Sequence, residues 1–379
     1  MASHIVFFGH DAADAAIRRR MHSFAQDGCN AVGFMMRRKA PKPTEWTNID
    51  LGQTQNGAFA QRIAMIFKGA DRAVAEGEQA LRAADVFYAR NLDMLASAFL
   101  AKRKLKLKTP VIYECLDVHR LMVGTGAVAR ILRFVERRLL KRCAGLVVSS
   151  PGFLKHYFEV HHKGLYHAHL VENRLVSGAD YGPRPTETLS AVDRPLQLGW
   201  YGILRCSRSL NLLAGLADKL GDSIEIHLYG KVATNEIPDF DAVVARRKNM
   251  FFAGAYKSPE DLATIYQASD LVWAGDFMEA GYNSVWLLPN RLYEGGYYAT
   301  PAIAPAGTQT GIWLEAHKCG FTIKEPLEET LPELVQHLQG HSEEIKQRQE
   351  ALLDLPSETF IQPHGEMGSI IAHVLQSRP

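Results

Sequence analysis

Leu288-Pro289-Asn290-Arg291-Leu292-Tyr293-Glu294-Gly295-Gly296, running on through Thr300-Pro301-Ala302-Ile303-Ala304, carries more information than any other stretch of this 379-residue chain. Pro289 opens a short amphipathic segment, because its fixed φ and missing N–H suit the start of a helix. Gly295-Gly296 reads as a loosening of the backbone, and Pro301 then begins a small-residue apolar strand. The spacing brings Asn290, Arg291 and Glu294 together near a helix N-terminus, with Asn290 and Glu294 one turn apart on a shared face. A carboxylate held there suits the paired hydroxyls of a ribose, while the helix dipole and free amides suit phosphate. Spacing alone leans toward the plainer alternative, a Pro-initiated surface helix with one ordinary Glu.

Short apolar runs alternate with amphipathic ones on either side of this stretch. In the first half His4–Gly9, Ala31–Met36, Asp85–Arg90, Pro110–Glu114 and Gly145–Ser149 read as strands, with helices over Asp14–Gln26, from Leu92, and over Val128–Arg142. The pattern restarts with strands at Leu196–Tyr201, Ile224–Tyr229, Met250–Ala253, Asp270–Ala274 and Ala302–Ala304, and helices at Ser209–Leu220 and Pro259–Ala268. Glu328–Gln349 and Met367–Gln376 read as closing helices. Strands alternating with helices predict an α/β chain of two doubly wound, Rossmann-like domains. The Gly- and Pro-rich Ser177–Pro185 marks their boundary, giving domains over 1–180 and 181–355 and a last helical stretch over 356–379.

A hydrophobic content of 47% lets each half bury a full core. Five scattered cysteines, with no metal-ligand spacing, read as reduced thiols. Met1–Gly9 reads as a first buried strand rather than a signal peptide, and no apolar run reaches membrane-spanning length, so a cytoplasmic location is expected. Net charge is strongly divided. Residues 1–180 carry 27 Lys and Arg against 16 Asp and Glu, a net +11, whereas 181–379 carry 16 against 25, a net −9. Such asymmetry points the first half toward something anionic, nucleic acid or membrane.

Further candidates follow the strands. After the first strand of the second half, Gly202, Arg205 and Arg208 precede a Ser-capped helix, a plausible cradle for a diphosphate. Arginine's planar fork matches phosphate oxygens and would meet the charge growing on a departing nucleoside diphosphate. The alternative is a strand-to-helix loop with solvated arginines. Glu114-Cys115-Leu116-Asp117-Val118-His119-Arg120 clusters titratable groups at a strand's carboxyl end, which reads as a site rather than core. Gly9-His10-Asp11 follows the first strand. His161, His162, His167 and His169 lack a completing carboxylate or Cys, and no metal site is expected. Arg130, Arg133, Arg137 and Lys141 share one helix face opposite Ile131, Leu132, Val135 and Leu139, with Lys102–Lys108 a second basic block. A charge run is usually a solvated face, but the half-chain excess favours an anionic bilayer. Nucleic acid is disfavoured, because no recognisable nucleic-acid-binding module is present.

The Leu288–Ala304 stretch resembles the donor-sugar segment of GT-B-fold glycosyltransferases, family 4-like. Together with the upstream Glu279-Ala280-Gly281-Tyr282-Asn283-Ser284-Val285-Trp286-Leu287 it resembles the bacterial enzymes that extend lipid-linked exopolysaccharide repeat units of the succinoglycan type. The resemblance is specific over Asp276–Gly311 and weaker over Gly199–Leu210. It implies two domains facing a cleft, with a final helix crossing back to the first domain. It also implies metal-independent transfer of a hexose or hexuronic acid from a nucleotide sugar, UDP-linked, to a polyprenyl-diphosphate-linked glycan at the inner face of the plasma membrane. No cofactor beyond the donor substrate is implied. The donor set it implies is Gly202, Arg205, Arg208, Glu279, Asn283, Ser284, Asn290, Arg291 and Glu294, and Gly9, His10 and Asp11 fall on the acceptor side. Arg205 is assigned to catalysis together with Asp117, which would take the acceptor proton in an inverting reaction, and His119, which would position the acceptor. Many retaining relatives carry a second Glu eight residues before the ribose-binding one. Here that position is Trp286, with Glu279 the candidate to replace it across a longer loop, so the stereochemical outcome stays open. A catalytically silent scaffold and an enzyme acting on a soluble acceptor are the alternatives.

Overall fold

The computed structural model describes residues 2–41, 43–54, 59–188 and 194–377. The chain forms two compact units, Met1–Glu172 with Pro363–Pro379, and Asn173–Gln362. The division therefore precedes the Gly- and Pro-rich boundary expected at 180/181, and 356–362 stays with the second unit. Backbone hydrogen bonds give the reason. Leu175 pairs with Ile361, donating to Phe360 and accepting from Gln362, so both passages of chain are tied within one unit.

Among its described residues unit 1 holds seven strands: β1 (His4–Gly9), β2 (Asn30–Arg37), β3 (Asn48–Gln53), β4 (Val86–Arg90), β5 (Val111–Cys115), β6 (Gly145–Val148) and β7 (Ala168–Leu170). They form one parallel sheet in the order β3-β2-β1-β4-β5-β6-β7. The inner strands β1, β4, β5 and β6 are almost continuously buried, as strands covered on both faces must be. β3 and β7 are edge strands, β3 with only Ile49 and Leu51 as large apolar residues and β7 just three residues long and mostly exposed, which is why periodicity does not announce them. The helix Phe59–Ala83 before β4 was likewise not expected. The last helix, Glu366–Gln376, seats Met367, Ile370, Ile371 and Val374 in the core of unit 1 with Phe7, Phe24 and Val147. Asp27 fastens its start by accepting from the N–H groups of Gly365 and Gly368 at 2.7 and 2.9 Å.

Unit 2 holds β8 (Leu196–Leu204), β9 (Ile224–Val232), β10 (Met250–Phe252), β11 (Leu271–Trp273), β12 (Ala302–Pro305) and β13 (Gly320–Ile323), all parallel in the order β10-β9-β8-β11-β12-β13. In both sheets the winding reverses beside the first strand. This creates a switch point at the carboxyl ends of β1 and β4 in unit 1, and of β8 and β11 in unit 2. The expected single helix over Glu328–Gln349 is two, Leu327–Gly340 and Ser342–Asp354, broken at His341 where the backbone leaves helical geometry. Gly295 and Gly296 are helical and tightly packed rather than loose. A Cβ on Gly296 would come 2.2 Å from the Phe360 ring, and one on Gly295 3.2 Å from the Thr300 carbonyl oxygen.

One glycine pair sets how closely β8 and β9 approach. Gly230 has φ +141, and a Cβ there would lie 1.7 Å from the carbonyl oxygen of Gly202. Gly230→Ala is expected to destabilise unit 2 by at least about 1–3 kcal/mol through backbone strain alone, with the clash adding to it. A thermal midpoint within about 2 °C of the parent would contradict this.

Candidate functional site

The switch point of unit 2 gathers most of the expected donor residues. β8 ends at Leu204, Arg205 follows, and the helix Ser207–Leu220 starts two residues later. Across the switch, the loop after β11 carries Gly275 and Asp276. Arg205 Nη2 lies 3.5 Å from Asp276 Oδ2, and its side chain is partly exposed. The other oxygen of Asp276 accepts from Met278 N at 2.9 Å and from Ser284 Oγ at 3.1 Å, and Ser284 Oγ in turn accepts from Glu279 N. The loop is thus held in one shape by the Asp276 carboxylate, which no motif in the sequence marks. Its only local signal was an acidic residue just past a strand's carboxyl end. Cys206 adds to this frame, its sulfur accepting from Ser209 N and Phe277 N.

Two expected donor residues have structural employment. Arg291 donates to the carbonyl oxygens of Tyr201 at 3.0 Å and Gly275 at 3.3 Å, bridging β8 to the loop after β11. Its guanidinium holds the two sides of the switch point together. Arg208 pairs with Glu325 at 2.7 Å and Glu328 at 3.5 Å and lies over the Phe277 ring, so it does not stand beside Arg205 as a second open cation. These pairs are exposed and individually weak, so a diphosphate would have to displace them.

Glu294 is nearly buried on the helix Asn290–Tyr297, with Pro289 at its cap and Asn290 as its first residue. Tyr266 donates to Glu294 Oε2 at 2.8 Å. Burial and the Glu294 carboxylate push the Tyr266 phenol well above its ordinary range, so it remains a donor. Tyr266 is a supporting residue that sequence spacing does not reveal, since it lies 28 positions upstream. Asn283 and Ser284 are buried on the short helix Asn283–Trp286, and Gly202 sits in β8 with φ +111.

In unit 1 the switch point holds Gly9, His10 and Asp11. His10 Nε2 lies 3.6 Å from Asp14, and its Nδ1 lies 3.5 Å from the Asn91 side chain at the end of β4. Burial alone would raise the Asp14 carboxyl. The hydrogen bond and charge of His10, then Arg90 and the Ile17 N–H, hold it well below the usual carboxylate range. Asn91 adopts φ +71, a costly conformation for a residue with a side chain, at the same carboxyl end. Asp11 accepts from Ala13 N and lies 3.9 Å from Arg38.

The Glu114–Arg120 cluster splits. Glu114 is core, fully buried between Arg90 (2.7 Å) and Arg20 (2.9 Å), which corrects its reading as part of a site. Asp117 and His119 are exposed, and His119 Nδ1 accepts from Leu121 N, capping the short helix Arg120–Val123. His162 is buried against Glu136 at 2.7 Å. One Asp-x-Asp spacing does occur, Asp239-Phe240-Asp241. It lies at the start of the helix Phe240–Ala245, with both acidic residues exposed around buried Phe240. Among the described residues no group of three or more candidate ligands is placed to hold a metal ion. Of the basic face, Arg130, Arg137 and Lys141 are exposed, but Arg133 turns inward and donates to the carbonyl oxygens of Met122 and Gly124. Among the described residues no helix is long and apolar enough to cross a membrane.

No family model matches the chain. It is 39% identical over 337 residues to the succinoglycan biosynthesis protein ExoL of Rhizobium meliloti (strain 1021), covering 84% of this chain and 81% of that one. Its fold is similar to that of sucrose-phosphate synthase from Thermosynechococcus elongatus, with a TM-score of 0.75 at 12% identity over 100% of both chains. It is also similar to Anabaena HepE in complex with UDP, with a TM-score of 0.69 at 12% identity, again over 100% of both chains. At such identities the structural likeness speaks for the fold, two Rossmann-like units of the GT-B type.

Proposed function

The chain belongs to the family of the succinoglycan biosynthesis protein ExoL, GT-B-fold glycosyltransferases of exopolysaccharide biosynthesis, and from that premise we propose that unit 2 binds a UDP-sugar at its switch point. In this reading the chain transfers a hexose or hexuronic acid from that donor to a lipid-diphosphate-linked oligosaccharide, working at the inner surface of the membrane. The observation that carries the reading is the meeting of Arg205 and the start of the Ser207–Leu220 helix at the carboxyl end of β8, to which Arg291 ties the Asn290–Tyr297 helix that carries Glu294. The dipole at that helix start and the Arg205 fork suit the two phosphates. The Glu294 carboxylate, oriented by Tyr266, suits the ribose hydroxyls. The complex of HepE with UDP supports UDP as the nucleotide. As the glycosidic bond of the donor breaks, negative charge grows on the leaving diphosphate, and Arg205 with the helix dipole stabilises it there. The surface-bound acceptor is supported by the family and by the net +11 charge of residues 1–180.

Glu294→Gln tests the donor assignment. Losing a charge-assisted hydrogen bond to the ribose costs on the order of 1.5–3 kcal/mol, so the UDP dissociation constant in calorimetry should rise roughly tenfold or more. UDP affinity equal to that of the parent protein would remove Glu294 from the site.

A further inference from the structure

We propose that the helix Ala127–Leu140 of unit 1 inserts an apolar stripe into an anionic bilayer, with its arginines on the headgroups. This rests on the proposed attachment to a membrane surface and adds how the chain holds on. It does not depend on which donor unit 2 takes.

The helix shows solvent much of its apolar side. Ile131 is 62% and Phe134 59% exposed, and Val128, Val135 and nearby Leu121 are exposed as well. The side turned to the protein is Ala129, Glu136 and Leu140. Val128, Ile131 and Val135 follow the i, i+3, i+7 spacing of one helical stripe, with Phe134 beside them. Single exposed apolar residues are ordinary on a soluble surface, whereas a contiguous stripe on one element marks an interaction face.

Charge selects the occupant. Residues 120–142 carry seven Arg and Lys and a single acidic residue, Glu136. That carboxylate is wholly buried, accepting from Tyr113, Tyr157 and His162. The exposed charge of the segment is therefore entirely positive. A second copy of the same face would set like charges against each other in a two-fold contact. Anionic headgroups above a hydrocarbon layer match both the basic flank and the apolar stripe. The Arg138 guanidinium lies 5.2 Å from the Phe134 ring centroid, joining flank and stripe at one level. Arginine stems can extend along the stripe while their heads reach phosphate. At 14 residues the helix is too short to span a bilayer and would lie in its surface plane. The face is preformed: Glu136 fastens the helix from beneath, and Arg133 ties it to the preceding turn through the Met122 and Gly124 carbonyls.

Flotation of the full chain with vesicles of phosphatidylcholine, alone or mixed with phosphatidylglycerol, tests the proposal over a range of salt. The wild type should float with the mixed vesicles and remain partly bound at salt that screens surface charge, because buried apolar area does not depend on ionic strength. The double variant Ile131→Asp/Phe134→Asp should lose binding by at least about tenfold at every salt concentration. Reversing Arg130, Arg137 and Arg138 to Glu should abolish the preference for phosphatidylglycerol. All five positions are solvent-exposed, so the fold should persist, as circular dichroism would verify. Flotation of the Asp variant equal to wild type would overturn the proposal, as would complete release of the wild type by salt. Self-association through the stripe in place of flotation would overturn it in favour of a protein interface. Flotation requires no turnover, so its failure and a failure of the transferase reading are separately visible.

Discussion

Glu114→Ala is expected to destabilise unit 1 by about 3–5 kcal/mol, because it leaves two buried guanidinium groups facing each other without a counter-charge. Glu114 takes Arg90 on one carboxylate oxygen and Arg20 on the other, and all three side chains are almost completely buried. They join β4, β5 and the helix Ala15–Gln26, so the loss should appear as global unfolding of the unit in urea. Burial by itself would raise the Glu114 carboxyl. The charges of Arg90 and Arg20 and the hydrogen bonds from both together outweigh burial, holding it at about 2. A carboxyl depressed in the folded state stabilises fully above its unfolded value of about 4.3. That contribution fades as pH falls from there toward about 2 and is gone below it. The wild type should therefore lose urea resistance between about pH 4.3 and pH 2, and Glu114→Gln should show a flatter acid limb. An alanine variant with an unchanged urea midpoint near neutrality would mean that the two arginines find other partners, and the triad would not be an anchor of the core.

Arg205→Ala should lower turnover by on the order of 10²–10³ while weakening UMP binding far less, since its contact is needed most when the leaving diphosphate gains charge. Arg205 is partly exposed, has Asp276 at 3.5 Å and lies between the end of β8 and the start of the Ser207–Leu220 helix. Removing it should leave the loop intact, because Asp276 keeps Met278 N and Ser284 Oγ. Arg205→Lys retains a point charge without the fork, so partial recovery is expected. The measurement is single-turnover transfer beside calorimetry with UMP and UDP. Parallel loss in transfer and UMP binding would reduce Arg205 to a docking residue, and unchanged turnover would exclude it from the reaction.

Arg291 and Glu294, three positions apart in the opening stretch, show where local reading ends. A Pro-initiated helix carrying both was legible, because Pro289, the apolar spacing of Leu292 and Tyr293 and the following Pro301 strand are local constraints. That Arg291 spends its guanidinium on Tyr201 and Gly275, 90 and 16 residues away, depends on where β8 and β11 end relative to that helix. Tyr266 meeting Glu294 is likewise decided by how the two helices that carry them pack.

Alternating apolar runs determined the α/β class and two doubly wound sheets, since burial on both faces of a parallel strand requires a continuous apolar run. They could not announce β3 and β7, whose edge positions ask for little hydrophobicity. Periodicity also assigned the Ala127–Leu140 helix an apolar face and a basic face. Periodicity states that such faces differ, not which of them a neighbour covers. Only the tertiary structure decided that Ala129, Glu136 and Leu140 turn to the protein and Ile131 and Phe134 to solvent. The reason is that the Glu136 carboxylate had partners waiting on strands and helices distant in sequence, and a buried charge goes where its hydrogen bonds are.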